Sequence, residues 1–167
     1  TWVYVAGAAR LEAAVAVVLA APGLRVGYGS AGGWDGFGPA RVVTRSLGNV
    51  LFELDGRPAL ELYRDYLGDR AAQLPASALL FPLAIRSPDG DRTLVRTVLG
   101  IDDDASSMTF AGDVPEGWTA QLTRTTLDRL IDAAGNAADQ ATGSVPEPEL
   151  TIALSCVGRY LRLGQRS

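Results

Sequence analysis

A short segment near the end of the chain, Ser155–Arg159, combines a thiol, a glycine and a guanidinium. It follows the apolar run Leu150–Ser155, which predicts a central strand, and Gly158–Leu163 then predicts a helix. Free amide N–H groups at a helix start favour anions, and Gly158 would let a ligand approach the backbone. Arg159 could bind a carboxylate through two parallel hydrogen bonds. We therefore predict that four residues of this segment contact a small anionic ligand: Ser155, Cys156, Gly158 and Arg159.

A structural role is the first alternative for this segment. Cysteine is among the residue types that proteins most often bury, where it acts as a small hydrophobe. Arg159 could equally form an ion pair with one of the acidic residues, such as Asp113 or Glu116.

Catalysis by Cys156 is the second alternative. Cys156 and Arg162 have the Cys-x5-Arg spacing of tyrosine phosphatases, whose thiolate attacks a bound phosphate. That phosphatase loop needs several small residues, whereas Tyr160 and Leu161 are bulky. A hydrolase or transferase with Cys156 as its nucleophile stays open as a second hypothesis.

Two further arginines are candidates for ligand contact. Arg57 lies on a turn at a predicted helix start, where a cation without a partner is unfavourable. It therefore predicts a buried ion pair or an anion contact, with a salt bridge to Glu61 or Asp55 as the alternative. Arg96 lies within an apolar strand, where a charge needs a partner or a ligand unless it faces solvent.

Composition excludes several classes of function. The chain has 167 residues with a net charge of −4, and nothing in that balance suggests the basic face that nucleic-acid binding needs. It has no His, and its one Cys cannot form a zinc cluster or an intramolecular disulfide. No apolar run approaches the roughly 20 residues that cross a bilayer, so we expect a cytoplasmic protein without a membrane segment. Asp102–Asp104 predicts a solvated turn rather than a metal site.

Alternation and turn signals predict most of the strands. Those expected are Thr1–Ala6, a hairpin of Ala13–Leu19 and Leu24–Tyr28, two strands at Val42–Arg45 and Val50–Leu54, then Leu79–Ile85, Thr93–Ile101, Ser107–Ala111, Thr119–Thr123 and Leu150–Ser155. Gly29–Pro39 predicts a loop, and Gly48-Asn49 a tight turn.

Two main helices are predicted among these strands. The first begins near Pro58, with Asp55 or Gly56 as its cap, and has an apolar stripe of Leu60, Tyr63, Tyr66 and Leu67. The second is Thr125–Ala141, started by Thr125 and Asp128, with a buried face of Leu127, Leu130, Ile131, Ala134 and Ala138. The sequence thus predicts an α+β fold with a mixed or antiparallel sheet and two main helices.

Three segments together resemble the FIST family. They are Val43–Tyr63, Phe110–Gly117, and Leu154–Arg159 with Leu163–Arg166 after it. The resemblance implies that residues 1–46 are the terminal strands of a FIST N-like lobe and residues 47–167 a FIST C-like domain.

The resemblance also implies a function. FIST domains are bacterial or archaeal signal-input domains for small ligands, usually thought to be amino acids, and they feed histidine kinases, cyclic-di-GMP enzymes or chemotaxis receptors. Some members resemble haem-carrying nitric-oxide sensors, but without His a haem iron here would need Cys156, Met108 or a Tyr, so we expect no cofactor. We predict a sensor of a small anionic metabolite that signals to an output domain. A structural or dimerisation lobe is the third hypothesis.

Overall fold

The computed structural model describes residues 2–164, apart from the side chains of Arg162 and Leu163. The strands are β1 (Trp2–Val5), β2 (Ala8–Leu11), β3 (Asp35–Leu47), β4 (Val50–Leu54), β5 (Arg57–Pro58), β6 (Leu83–Arg86), β7 (Thr93–Arg96), β8 (Val98–Asp102), β9 (Ser107–Phe110) and β10 (Thr119–Arg124). The helices are α1 (Ala59–Leu67), α2 (Leu127–Ser144) and α3 (Val157–Leu163), with 3₁₀ helices at Gly68–Gln73 and Ala76–Leu80. The predicted α+β class is confirmed, and every strand pairing in this part of the chain is antiparallel.

The main sheet curls on itself. Its strand order is β7-β6-β10-β3-β4-β9-β8, with β5 added beside β4. Strands β7 and β8 lie at opposite ends of this order, yet only Thr97 separates them in the chain. The two edges must therefore meet at Thr97. Register shifts in β3 between Val43 and Ser46 bend this long strand, as β-bulges do, and so contribute to the curl.

The hydrophobic core lies between the curled sheet and α1, which packs on β4 and β9. Its largest fully buried apolar side chains include Phe110, Leu51, Leu60, Leu62, Ile85 and Met108. The predicted apolar stripe of α1 is confirmed: Leu60, Tyr63 and Leu67 are buried and Tyr66 packs against them. The Tyr63 hydroxyl donates a 2.8 Å hydrogen bond to the Phe81 carbonyl. Burial raises the pKa of Tyr63 well above its usual value, so this donor stays protonated.

The chain enters α1 through a tight turn. Asp55 and Gly56 have positive φ angles of 51° and 73°, and they fold β5 back onto β4. The prediction that Asp55 or Gly56 caps α1 is wrong, because Pro58 occupies that position without a side-chain cap. The Asp55 carboxylate instead accepts the Val42 N–H at 2.8 Å. The predicted tight turn at Gly48-Asn49 is confirmed, with β3 and β4 on either side.

Two predicted strand regions lie outside the sheets. Residues 13–28 and 150–155 form no strand, and they expose their apolar side chains, as Val18 (84%) and Leu154 (94%) show. The predictions of a hairpin at 13–28 and a central strand at 150–155 are therefore wrong. A β-prone composition gives a strand only where a neighbour supplies hydrogen-bond partners, and neither segment pairs with the described strands.

Three other predicted boundaries also change. Strand β3 already begins at Asp35, inside the predicted loop, because it pairs with β10 there. Leu79 and Leu80 lie in a 3₁₀ helix rather than in a strand. The predicted strand Thr93–Ile101 breaks at Thr97, where the chain passes from one sheet edge to the other.

Helix α2 is where the sequence predicts it, but its cap and its buried face differ. Thr126 is the N-cap, since its hydroxyl accepts the Arg129 N–H at 3.3 Å. Thr125, the predicted cap, instead donates to the Gly33 carbonyl. Only Leu130 and Ala133 are fully buried on α2, whereas Ile131 is 63% exposed. The helix is covered along a narrower strip than its apolar residues suggest.

That strip is covered in part by an extended, glycine-containing segment, residues 27–33. A side chain at Gly29 would overlap the Ala137 carbonyl oxygen, and one at Gly33 would lie 2.6 Å from the Arg129 carbonyl oxygen. The Ser30 N–H donates to the Gln140 side chain at 3.3 Å. Glycine is therefore required here for close approach to the α2 backbone.

Removing the α2 cap gives a first testable prediction. We expect Thr126→Ala to lower the free energy of unfolding by about 1 kcal/mol, because the Arg129 N–H loses its acceptor. Thr126→Ser should retain most of the stability. The matched control is Thr142→Ala, since this hydroxyl donates to the Ala138 carbonyl within the same helix and caps nothing. Urea unfolding measures all three, and an equal loss in Thr142→Ala would contradict the capping role.

Candidate functional site

The segment Ser155–Arg159 forms the start of α3. Ser155 and Cys156 are exposed, and Cys156 is the N-cap, with its sulfur accepting the Arg159 N–H at 3.4 Å. Gly158 is buried: a Cβ there would lie 3.4 Å from the Leu79 carbonyl oxygen and 3.8 Å from the Trp34 ring. The space beside Gly158 is therefore occupied by Leu79 and Trp34 of the same protein.

The Arg159 guanidinium has a partner inside the protein. It is half-buried and donates to the Leu130 carbonyl of α2. Neither acid considered from the sequence is that partner, since Glu116 accepts the Ser46 N–H and Asp113 offers its carbonyl to Arg96. The contact ties α3 to α2, and a ligand contact at Ser155, Cys156, Gly158 or Arg159 stays a prediction. The Arg162 side chain, needed for the phosphatase comparison, lies outside the described residues, as do Gln165 and Arg166.

The other two predicted arginines lie elsewhere and are engaged. Arg57 forms an exposed ion pair with Asp65 at 3.6 Å, rather than a buried pair or one with Glu61 or Asp55. Arg96 is half-buried and its Nε donates to the Asp113 carbonyl at 2.8 Å. Arg57, Arg96 and Arg159 thus contact three different partners, which are Asp65, the Asp113 carbonyl and the Leu130 carbonyl. Their role in ligand binding stays a prediction.

A different set of arginines surrounds a cleft of about 530 Å³ where β10 runs into α2. We call it the arginine cleft. Its lining comes from the start of β3, the two 3₁₀ helices, the end of β10 and the first turn of α2. The lining residues are Asp35, Arg70, Leu80, Phe81, Arg124, Thr125, Thr126 and Arg129. The volume falls within the range of about 300–1,000 Å³ typical of small-molecule sites.

Two of these guanidiniums are held against aromatic rings. Arg70 lies over Phe81 at 5.2 Å, and Arg124 lies over Phe37 at 4.8 Å, measured to the ring centroids. Within residues 2–164 neither guanidinium has a carboxylate within ion-pair distance. A stacked guanidinium uses its face for the ring, so the N–H donors in its plane stay available. Both side chains are thus oriented donors without an acidic partner in the described chain.

The third guanidinium is neutralised by the one acidic residue of the lining. Arg129 Nε lies 2.8 Å from the Asp35 carboxylate. Arg129 stands in the first turn of α2, where the helix macrodipole favours negative charge. The helix start and the two unpaired guanidiniums therefore both favour negative charge, and the cleft is suited to an anion.

Sequence reasoning missed the arginine cleft. Arg129 carried the same signal as Arg57, a cation in the first turn of a helix, but it was not singled out. Arg70 and Arg124 gave no local signal, because the rings that orient them lie 11 and 87 positions away in the sequence. The five elements that form the cleft come together only in the folded chain.

Comparison with known families decides the affiliation. A FIST N domain model matches residues 1–57, and a FIST C domain model matches residues 59–167. The chain belongs to the FIST family. The resemblance predicted from three short segments is thereby confirmed, whereas a structural boundary at residue 46 stays a prediction. Comparisons with curated proteins and with solved structures found no match.

FIST domains are generally taken to be signal-transduction domains that sense small ligands, and to be sensory rather than catalytic. Within the described residues of this FIST protein, every helix is too short or too polar to span a lipid bilayer.

Proposed function

We propose that this FIST domain senses a small anionic metabolite bound in the arginine cleft. The observation that carries the proposal is the pair of stacked guanidiniums, Arg70 and Arg124, which face one cleft and have no acidic partner within residues 2–164. Both side chains are exposed, so water accepts their hydrogen bonds when no ligand is bound. A carboxylate bound by both would replace that water through charge-assisted hydrogen bonds.

Helix α2 offers a physical route from ligand to output. Arg129 lines the cleft, and the neighbouring residue Leu130 accepts the Arg159 hydrogen bond of α3. An anion bound beside the start of α2 would shift the first turn of this helix, and α3 is attached to that turn. We propose that α3 passes this change to an output partner, such as a histidine kinase or a cyclic-di-GMP enzyme, in the cytoplasm of a bacterium.

A thermal-shift screen against amino acids and small carboxylates tests the proposal. A ligand present at about 100 times its dissociation constant adds roughly 2.7 kcal/mol to the free energy of unfolding. We expect at least one compound to stabilise the domain in this way, and Arg124→Gln to weaken its binding about tenfold or more, because hydrogen bonds to charged groups contribute about 1.5–3 kcal/mol.

The matched control is Arg86→Gln. Arg86 lies exposed on β6, away from the residues that line the cleft, and the variant removes the same charge. It should keep the ligand-induced shift. A screen without any stabilising compound, or a shift that Arg124→Gln retains in full, would rule out the cleft as the sensing site and favour a structural lobe.

A further inference from the structure

We infer that the arginine cleft selects an organic dianion with one negative group at each end, of which short aliphatic dicarboxylates are the simplest examples. This inference rests on the proposed function and narrows its ligand. Amino acids are the ligands expected from the family resemblance, and those with uncharged side chains are zwitterions without net charge. The charges and partners of the lining residues favour a different class.

The charge of the lining sets the first requirement. Among the described residues, three arginines and one aspartate line the cleft, which gives this lining a net charge of +2. The whole chain, in contrast, has a net charge of −4. A positive cleft on a negative protein concentrates anions locally, and a ligand with two negative charges neutralises it fully. A monoanion would leave one guanidinium uncompensated.

The positions of the free guanidiniums set the second requirement. Arg70 belongs to the 3₁₀ helix Gly68–Gln73 and is stacked on Phe81, whereas Arg124 ends β10 and is stacked on Phe37. The two arginines thus belong to different elements, and each is oriented by a different aromatic ring. A guanidinium fork matches one carboxylate with two parallel hydrogen bonds. Two separately held forks suit a ligand that carries two separate carboxylates.

The pairing of Asp35 disfavours a zwitterion. In the described part of the chain, Asp35 is the one carboxylate that lines the cleft, and it already lies 2.8 Å from Arg129 Nε. The ammonium group of an amino acid would need an acceptor of this kind. It would have to displace Arg129 from Asp35, and it would be repelled by the remaining guanidiniums. An α-amino acid therefore fits the cleft less well than a dicarboxylate.

The size and the apolar part of the lining indicate a carbon spacer. A volume of about 530 Å³ is far larger than a single tetrahedral anion needs. Leu80 and Phe81 add apolar surface to the lining. Methylene groups between two carboxylates would contact this surface, whereas inorganic phosphate would not use it.

Titration calorimetry of the full chain at constant ionic strength tests the inference. The probes are succinate and glutarate as dicarboxylates, acetate as a monoanion, alanine as a zwitterion and inorganic phosphate. We expect one of the dicarboxylates to bind at least about tenfold more tightly than acetate, alanine or phosphate. Arg70→Gln and Arg124→Gln should each weaken dicarboxylate binding about tenfold, as expected for the loss of a charge-assisted pair, and Arg86→Gln should leave it unchanged.

The outcomes separate this inference from the proposed function. If acetate or alanine binds as tightly as both dicarboxylates and Arg124→Gln weakens that binding, the cleft is a sensing site but the dianion inference is overturned. If phosphate binds as tightly as the dicarboxylates, the inference that the ligand carries one negative group at each end is overturned. If no probe binds, and the wider screen of amino acids and carboxylates is silent as well, both proposals fail.

Discussion

Replacing Phe110 by alanine is expected to lower the free energy of unfolding by about 3–5 kcal/mol. Phe110 ends β9 and is fully buried in the core between the curled sheet and α1. Its backbone is fixed on both sides, because its N–H donates to the Asn49 carbonyl and its own carbonyl accepts from the Asn49 side chain at 2.8 Å. The position cannot collapse into the space that the ring leaves, so the full cost of a cavity is expected.

Chemical unfolding in urea measures this loss, and Ile131→Ala is its control. Both variants shorten a large apolar residue, but Ile131 is 63% exposed on α2. Ile131→Ala should therefore change the free energy of unfolding by no more than about 0.5 kcal/mol. The comparison also tests the corrected helix face, since the sequence places Ile131 in the buried stripe. A loss in Ile131→Ala close to that in Phe110→Ala would show that the sequence interpretation was right.

Local signals were sufficient for the parts of the fold that depend on local contacts. Gly48-Asn49 predicts the β3–β4 turn because a positive φ is needed at Gly48, which has φ of 56°. The stripe of α1 follows from helical spacing alone. The pattern cannot show where a segment finds its partner: Leu150–Ser155 has a strand composition, yet it is exposed and pairs with none of the described strands.

Sheet topology is the part that no local signal could supply. Thr93–Ile101 is continuous in its β propensity, yet the chain crosses between opposite edges of the sheet at Thr97. No local signal could supply the arginine cleft either. Its lining residues are spread between Asp35 and Arg129 in the sequence and come together only after the sheet has curled. The arginine candidates predicted from local surroundings, Arg57, Arg96 and Arg159, have partners within the protein.

Gly29→Ala should destabilise the domain by about 1–3 kcal/mol, as overpacking does, although it adds one methyl group. That methyl would overlap the Ala137 carbonyl oxygen and lie 3.0 Å from the Ala141 nitrogen, and a helix backbone cannot move aside as a side chain can. Residues 27–33 should then lift from α2. Urea unfolding measures the loss, and faster tryptic cleavage after Arg25, in the exposed segment just before Gly27, reports the release.

The sign of the change in the free energy of unfolding shows whether Gly29 is needed for close packing or for chain flexibility. Gly29 is not among the glycines with positive φ, so if it served only as a flexible link, alanine would stabilise the protein by about 0.4–1 kcal/mol through the unfolded chain. Gly135→Ala is the matched control, because it adds the same methyl to α2 at a position where a Cβ meets nothing within 4 Å. It should stabilise the helix by up to about 1 kcal/mol. Stabilisation by both alanines would mean that residues 27–33 do not pack on α2, whereas opposite signs require the contact between Gly29 and the Ala137 carbonyl.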